Sequence, residues 1–350
     1  MGELELGWRM LPNRFVAVTG TNGKTTTTEL LGEIYRAAGE PVAVAGNVGT
    51  PVSALSRQIP DDATVVCEAS SFQLEDATAF APEVALFLNF SEDHLDRHTT
   101  VDAYLKAKLR VFANQGTSDV AVLNAAESAL VGADLGHGRP VWFGADPACD
   151  LRLANGELLW RGEPLMAAED VKLRAHNLQN AMGAAAAALA DGVAPQPVRA
   201  TLHSFAGLPH RMELVRERGG VAYVNDSKAT NVAAAAAALN SFAGGVHAIL
   251  GGSLKGGDFV GLAPSVRDRC ERCYLIGEAA ERLAQDLANT HVELARSGDL
   301  EHAVAEASRR ARPRETVLLA PACASFDQFT DYADRGERFR ELVQALPGQR

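Results

Sequence analysis

The stretch Phe15-Val16-Ala17-Val18-Thr19-Gly20-Thr21-Asn22-Gly23-Lys24-Thr25 decides the fold. Its first four residues form a short apolar run, the pattern of a strand buried on both faces. Thr19-Gly20 ends that run. From Lys24 onward Leu30, Leu31, Ile34 and Tyr35 recur near helical spacing, and Gly39 with Pro41 two residues beyond marks the stop, so a helix is expected over 24–38. Strand, glycine-bearing loop and helix in that order suit phosphate. Backbone N–H groups and the helix N-terminus face anionic oxygens, Lys24 supplies a point charge, and the Thr25 hydroxyl can ligate Mg²⁺. The position five residues before Gly23 is Val18, not the glycine of a full Walker pattern, so a chance Gly-Lys-Thr turn is the competing reading.

Outward from this loop, strand and helix patterns alternate. Strands are expected at 42–45, 64–67, 84–90 and 120–123, with helices near 52–59 and 103–113. Such alternation implies parallel βαβ units. From 141 to 165 the pattern changes to short runs, 151–153 and 158–160 around Asn155-Gly156, which read as small antiparallel strands. An Ala-rich helix at 178–190 stops at Gly192. A boundary falls near Gly207-Leu208-Pro209. Beyond it strands are expected at 221–224, 246–250, 273–276, 292–294 and 317–319, with helices at 231–239, 279–288, 300–311 and 337–346. The fold class is therefore α/β. A P-loop-type, mainly parallel sheet domain with a small antiparallel β addition is expected over 1–207, and a Rossmann-like α/β domain over 208–350.

Composition narrows the function. The 350 residues carry 33 Lys+Arg against 44 Asp+Glu, a net charge of −11. That balance argues against a duplex nucleic-acid binder but leaves room for a local basic site. No apolar run approaches the ~18 residues of a membrane span, and the first fifteen residues lack a signal-peptide core. Five cysteines, an odd number, fit a reducing compartment. A cytoplasmic protein is expected.

Several residues invite chemistry. Glu68 closes the apolar run 64–67, and parallel sheets place ligands beyond the carboxyl ends of their strands. Glu68 is then an Mg²⁺ carboxylate facing the phosphate loop, or else a helix cap. Ser91-Glu92-Asp93-His94-Leu95-Asp96 follows the next strand in the same way, leaving His94 as a second-metal ligand or a loop hydrogen-bonder. Lys106, Lys108 and Arg110 share one helix and read as a solvated face. Lys255 follows the strand 246–250 and suits an anionic ligand or open solvent. Cys270-Glu271-Arg272-Cys273 lacks a second pair at zinc spacing and reads as structural or surface thiols. Cys67 and Cys323 read as packing residues, and His98, His137 and His203 as surface or loop histidines. Trp8, Trp142 and Trp160 are too scattered for a base-stacking platform.

Together these pieces resemble the Mur ligases, ATP-dependent amide-forming enzymes of peptidoglycan synthesis. The resemblance rests on Thr19–Thr25 (TGTNGKT), Gly46-Asn47-Val48-Gly49, Glu68–Glu75 (EASSFQLE), Glu92–Asp96 (EDHLD), Ala107-Lys108-Leu109-Arg110 and His176–Ala181 (HNLQNA). It continues through Gly207–Arg211 (GLPHR), Asn225–Asn231 (NDSKATN) and Pro321–Phe329 (PACASFDQF), in family order along essentially the whole chain. The phosphate loop and EDHLD belong to the wider superfamily, which includes folylpolyglutamate synthases. SSFQLE, NDSKATN and ACASFDQF are similar to the branch that adds D-glutamate.

The resemblance implies a fold of a central ATP-binding domain, 1–207, and a C-terminal amino-acid-binding domain, 208–350. It implies an ATP-dependent ligase that joins D-glutamate to UDP-N-acetylmuramoyl-L-alanine through an acyl phosphate. Gly20, Thr21, Asn22, Gly23, Lys24, Thr25 and Thr26, with Asn177, Asn180, Arg211 and Asp226, would hold ATP between the domains. Thr25, Glu68, His94 and Lys108 would serve two Mg²⁺ ions. Lys108 matches a lysine that the family carbamylates, which replaces its solvated-face reading. A carbamate turns the cation into an anionic oxygen ligand of the kind a hard metal prefers. Asn47, Ser70 and Gln73 would face the uridine nucleotide. Lys228, Thr230, Lys255, Ser325 and Tyr332 would gather D-glutamate, with Tyr332 standing where the family has Phe. The implied catalytic set is Lys24, Glu68, His94 and Lys108.

The departure lies at the front. Only about 18 residues precede the phosphate loop where the family carries a UDP-binding domain. Met1–Trp8 resembles the segment linking that domain to the ATPase domain. A truncated frame or fragment is expected, with a separately encoded UDP-binding domain as the alternative. Two other functions stay open: a related Mur-type ligase for another amino acid, and a truncated non-catalytic nucleotide-binding fragment.

Overall fold

The computed structural model describes residues 1–55, 58–91, 95–173, 177–254 and 258–347. The chain divides into two compact units, Met1–Ala206 and Gly207–Arg350.

The first unit holds a nine-stranded sheet. Its strands are β1 Arg14–Thr19, β2 Val42–Gly46, β3 Thr64–Glu68, β4 Val84–Phe87, β5 Val120–Asn124, β6 Arg139–Gly144, β7 Leu151–Ala154, β8 Glu157–Trp160 and β9 Glu163–Ala167. Their spatial order is β2-β3-β1-β4-β5-β6-β7-β8-β9. Pairings from β2 through β7 are parallel, and β7-β8-β9 form an antiparallel meander. Helices are α1 Glu3–Met10, α2 Lys24–Ala37, α3 Ser71–Glu75, α4 Leu95–His98, α5 Val101–Leu109, α6 Leu178–Ala190 and α7 Pro195–Ser204. The period-2 pleat of β1 splits its side chains between two cores. Val16 and Val18 pack with Leu30, Ile34 and the alanines of α6, while Phe15 and Ala17 pack with Leu4, Leu74 and Val111. Both sheet faces are thus covered, which is why the central strands read as unbroken apolar runs. The alanines of α6 are buried, and its Gly183 lies so close to Leu88 that an added Cβ would come within 2.9 Å of a leucine methyl. Small residues here set the helix-to-sheet distance.

The second unit holds β10 Glu213–Arg218, β11 Val221–Asn225, β12 Val246–Gly251, β13 Cys270–Ile276, β14 Glu293–Gly298 and β15 Thr316–Leu319, ordered β10-β11-β15-β12-β13-β14. All pairs are parallel except the β10–β11 edge. Helices α8 Val232–Asn240, α9 Ala263–Arg269 and α10 Ala280–Asp286 contribute to one core, and α11 Leu300–Arg310 and α12 Tyr332–Ala345 to the other.

Sequence expectations depart from this at definite places. The helix expected over 52–59 is a 3-10 turn, Val52–Leu55. Helices α1, α3, α4, α7 and α9 and strands β6, β9 and β10 were not expected. β10, ELVRER, alternates charge along an edge and lacks an apolar run. The CxxC pair lies on β13, with Cys273 buried and Cys270 partly so, both free thiols.

Candidate functional site

Parallel strands deliver their loops to one edge of a sheet, and both units use that edge. In the first, β1 runs into Gly20–Gly23, and Gly23 caps α2 with φ at 81°. A side chain there would collide with the Asn180 carboxamide, so the left-handed turn and the close approach both require glycine. The loop is stapled to the segment after β4. Thr21 N donates to Asn89 O (3.0 Å), Asn22 N to Asn89 Oδ1 (2.8 Å), and Asn89 Nδ2 returns a bond to Asn22 O (3.0 Å). Ser91 N donates to Thr21 Oγ1 at 3.1 Å.

Charged side chains converge on this loop. Lys24 Nζ donates to Gly20 O (3.0 Å) and Thr21 O (2.9 Å), at the loop's own centre. Thr25 Oγ1 donates to Glu68 Oε2 at 2.5 Å, and Asn47 Nδ2 donates to Glu68 Oε1 at 3.0 Å. Glu68 is buried at the carboxyl end of β3. Lys108 reaches the same loop from α5. It is 1% exposed, and its Nζ donates to Gly20 O at 2.6 Å and lies 4.5 Å from the centre of the Tyr104 ring. Asn180 Nδ2 donates to Asn177 Oδ1 at 3.0 Å beside Gly23.

Thus Gly20, Thr21, Asn22, Gly23, Lys24, Thr25, Glu68, Asn47, Lys108, Asn177 and Asn180 come together, while Thr26 is buried in the first turn of α2. Hydroxyl and carboxylate oxygens beside a glycine turn and two ammonium groups fit an Mg²⁺-nucleotide. Among the described residues no three His, Cys, Asp or Glu side chains cluster as a metal site. His94 lies outside the described residues.

Ser70 and Gln73 sit at the start of α3, where they form a capping box. Gln73 N donates to Ser70 Oγ (3.3 Å), and Ser70 N donates to Gln73 Oε1 (3.1 Å). His98 corrects an expectation. It is buried, not a surface histidine; its Nε2 is 3.0 Å from Ser71 Oγ, and its ring lies 5.4 Å from Phe72 and 5.2 Å from Tyr104. His137 and His203 are exposed. Asn89 and Tyr104 were missed, because only tertiary packing brings them to the loop.

In the second unit Asn225-Asp226-Ser227-Lys228 leaves β11 and Ala320–Ser325 leaves β15. Asp226 N donates to Leu319 O (2.8 Å), and Ala322 N donates to Ala229 O (2.9 Å), locking the two loops together. Burial pushes the Asp226 carboxyl up to about 6, against the opposing pull of the Met212 N–H (3.2 Å) and the Arg211 cation. Lys228 Nζ stands 4.0 Å from the centre of the Tyr332 ring, and Ser227 Oγ donates to Tyr332 O at 2.7 Å. Ser325 is buried, whereas Thr230 is exposed and donates its N–H to Lys228 O (2.8 Å). Lys255 lies outside the described residues.

Beneath these loops is a residue that the sequence hid. Arg335, on α12, is fully buried. Its guanidinium donates to Ser227 Oγ (2.9 Å), Ser227 O (3.0 Å), Cys323 O (3.1 Å) and Ala324 O (3.3 Å). All four acceptors are neutral, and burial lowers its pKa to about 10. An arginine on an amphipathic helix reads as surface, so no periodicity announces this role.

Comparison with known proteins agrees with this geometry. Residues 18–188 match the Mur ligase middle domain and residues 210–323 the Mur ligase glutamate ligase domain. The chain is similar to UDP-N-acetylmuramoylalanine–D-glutamate ligases from Geotalea daltonii (44% identical, over 99% of this chain and 78% of the relative) and Acidobacterium capsulatum (42%, over 99% and 77%). Among solved structures, MurF ligase from Thermotoga maritima in complex with ADP shares the fold with a TM-score of 0.67 at 20% identity, covering 97% of this chain and 82% of that one. A UDP-N-acetylmuramoyl-L-alanyl-D-glutamate–2,6-diaminopimelate ligase matches at 0.65 and 21%, covering 95% and 79%. Among the described residues no helix is long and apolar enough to cross a membrane. By its two domain matches and its 42–44% identity to relatives along nearly its whole length, the chain belongs to the Mur ligase family.

Proposed function

We propose that this chain is an ATP-dependent ligase that adds D-glutamate to UDP-N-acetylmuramoyl-L-alanine, with residues 1–207 as its ATP-binding domain and 208–350 as its amino-acid-binding domain. The observation that carries this reading is the likeness to D-glutamate ligases along 99% of the chain, at 44% identity.

The physical problem is that a carboxylate is a poor acyl donor to an amine. Phosphorylation by ATP converts the alanyl carboxylate into an acyl phosphate, which the D-glutamate amine attacks with loss of phosphate. Phosphoryl transfer asks the protein mainly for positioning and charge neutralisation. The loop N–H groups at the start of α2 and Lys24 Nζ hold the phosphates. Thr25 Oγ1 and the Glu68 carboxylate, with His94 and a carbamylated Lys108, are proposed to hold two Mg²⁺ ions. Mg²⁺ supplies charge neutralisation at the transferring phosphoryl group. Asn177 and Asn180 in the first unit, and Arg211 and Asp226 in the second, are proposed nucleotide contacts. Asn47, Ser70 and Gln73 are assigned to the uridine nucleotide. Lys228, Thr230, Lys255, Ser325 and Tyr332 are assigned to D-glutamate, a dicarboxylate that calls for cations and hydroxyls.

The test is ADP release with ATP, Mg²⁺, UDP-N-acetylmuramoyl-L-alanine and D-glutamate, each omitted in turn. It is run with and without a UDP-binding domain supplied as a separate chain, because a separately encoded domain is a proposed partner. Release that requires both substrates supports the ligase. Release with L-glutamate, lysine or diaminopimelate in place of D-glutamate reassigns the amino acid. Nucleotide binding without release in either format rejects catalysis.

A further inference from the structure

One buried charge in the first unit lies outside the machinery just described. Glu5, in the first turn of α1, is fully buried, and its cationic partner, Arg9 one turn on, is half-exposed. Its carboxylate accepts from the Thr78 backbone N–H, from Ala79 N (3.1 Å), from Thr78 Oγ1 (3.1 Å to Oε1) and from Arg9 Nε (2.9 Å). Thr78 and Ala79 lie three and four residues past the end of α3, the helix that opens with Ser70 and Gln73. Two residues earlier Glu3 Oε1 accepts from Ser53 N at 2.7 Å, in the 3-10 turn that follows the Asn47 loop. On either side of these two carboxylates α1 and its N-cap pack closely. A Cβ on Gly7 would come within 2.6 Å of Ser53 N, and one on Gly2 within 3.1 Å of Asp76 Cβ. The helix therefore touches both segments at once, with one carboxylate directed at each.

We propose that α1 is a strut that sets the spacing between the Asn47 loop and α3, with Glu5 as the positioning residue for Ser70 and Gln73 and Glu3 for Asn47. This rests on the assignment of those three residues to the uridine nucleotide. Glu5 accepts the Thr78 and Ala79 N–H groups and Glu3 the Ser53 N–H, so each ties its segment to α1, whereas Arg110 and Asn114 hold the first segment by its carbonyls, at Leu74, Ala77, Thr78 and Phe80. Burial alone would raise the Glu5 carboxyl. The Thr78, Arg9 and Ala79 bonds outweigh that effect and bring it down to about 2, so the clamp stays ionised at neutral pH.

The experiment compares Glu5→Gln and Glu3→Gln with wild type in the full chain, by amide hydrogen exchange and by steady-state kinetics. Glu5→Gln should accelerate exchange about tenfold or more at 70–79 and leave β1 and α2 unchanged. Glu3→Gln should do so at 47–55 and spare 70–79. In kinetics each variant should raise KM for the uridine nucleotide by about tenfold with KM for ATP unchanged. Uniform acceleration across the unit, or equal effects of the two variants on both segments, would reduce α1 to a general stabiliser and overturn the proposal. Should Glu5→Gln fail to fold, Glu3→Gln, whose carboxylate makes a single backbone bond, still decides between segment-specific and uniform exchange. A wild-type chain that ignores the uridine nucleotide would reject the functional reading, while the exchange pattern would still judge the strut.

Discussion

Glu68 and Asp226 occupy equivalent places, each a buried carboxylate beyond the carboxyl end of a parallel strand, yet their surroundings differ. Glu68 is bracketed by Thr25 Oγ1 and Asn47 Nδ2 at the mouth of a loop that also carries Lys24 and Lys108. Asp226 receives one backbone N–H, burial dominates, and its carboxyl rises to about 6. The cation beneath its loops, Arg335, bonds only to neutral oxygens. Topology alone therefore does not set a site's electrostatics. The supply of donors around each strand end does.

The largest expected effect tests the first region. Lys24→Ala should lower ATP-dependent turnover by about 1000-fold or more with the fold retained, since its charge addresses the transferring phosphates. Near wild-type ADP release with an unchanged circular dichroism spectrum would end the phosphate-loop assignment. Next is Lys108→Ala. Turnover should fall about 100-fold or more and recover in part with added formate or acetate, which can return an anionic oxygen to the site. Activity that needs no added carboxylate would refute the carbamate.

The second region is tested by Arg335→Met, which strands four oxygens that now share one guanidinium. Denaturant unfolding should show a loss of about 3 kcal/mol or more. A loss below about 1 kcal/mol would mean that the cation is not what locks the two loops. The smallest effect is a slope in pH. Folding raises Asp226, so its contribution to stability is full below about 3.8 and is lost as pH rises through 6. Glu5 runs the other way: its contribution is present above about 4.5 and is lost as pH falls toward 2. All three tryptophans lie in the first unit, so their emission isolates its unfolding. Asp226→Asn should flatten the drop of on the order of 2 kcal/mol between pH 4 and 6 in the second unit, and should leave the tryptophan-monitored transition alone. A slope that persists in the variant would place the titration elsewhere.

What the sequence disclosed follows the same division. Strands such as Val84–Phe87 and Val246–Gly251 were legible because both their faces are buried and their apolar runs are unbroken. The phosphate loop was legible because its glycine, lysine and threonine act through local backbone geometry. Arg335, Glu5 and His98 were not. Each is a polar side chain whose burial depends on partners far away in sequence, and in a one-dimensional pattern each looks solvated. β10 was invisible for a related reason: an edge strand need hide only one face, and its charged residues mask the alternation.

The strand order has a kinetic consequence. β15 lies between β11 and β12, with Ala222 opposite Thr316 and Val246 opposite the same residue on its other side. The centre of the second sheet therefore comes from the last of its strands to be made. During synthesis β11 and β12 have no permanent neighbour between them until the chain has been extended past Leu319. The first unit, by contrast, can close β2-β3-β1-β4 once residue 87 has emerged. Contacts this distant in sequence form slowly and leave apolar strands uncovered meanwhile. The second half of the molecule should be the part that depends on folding assistance, and refolding yields should fall first where a change slows the arrival of β15.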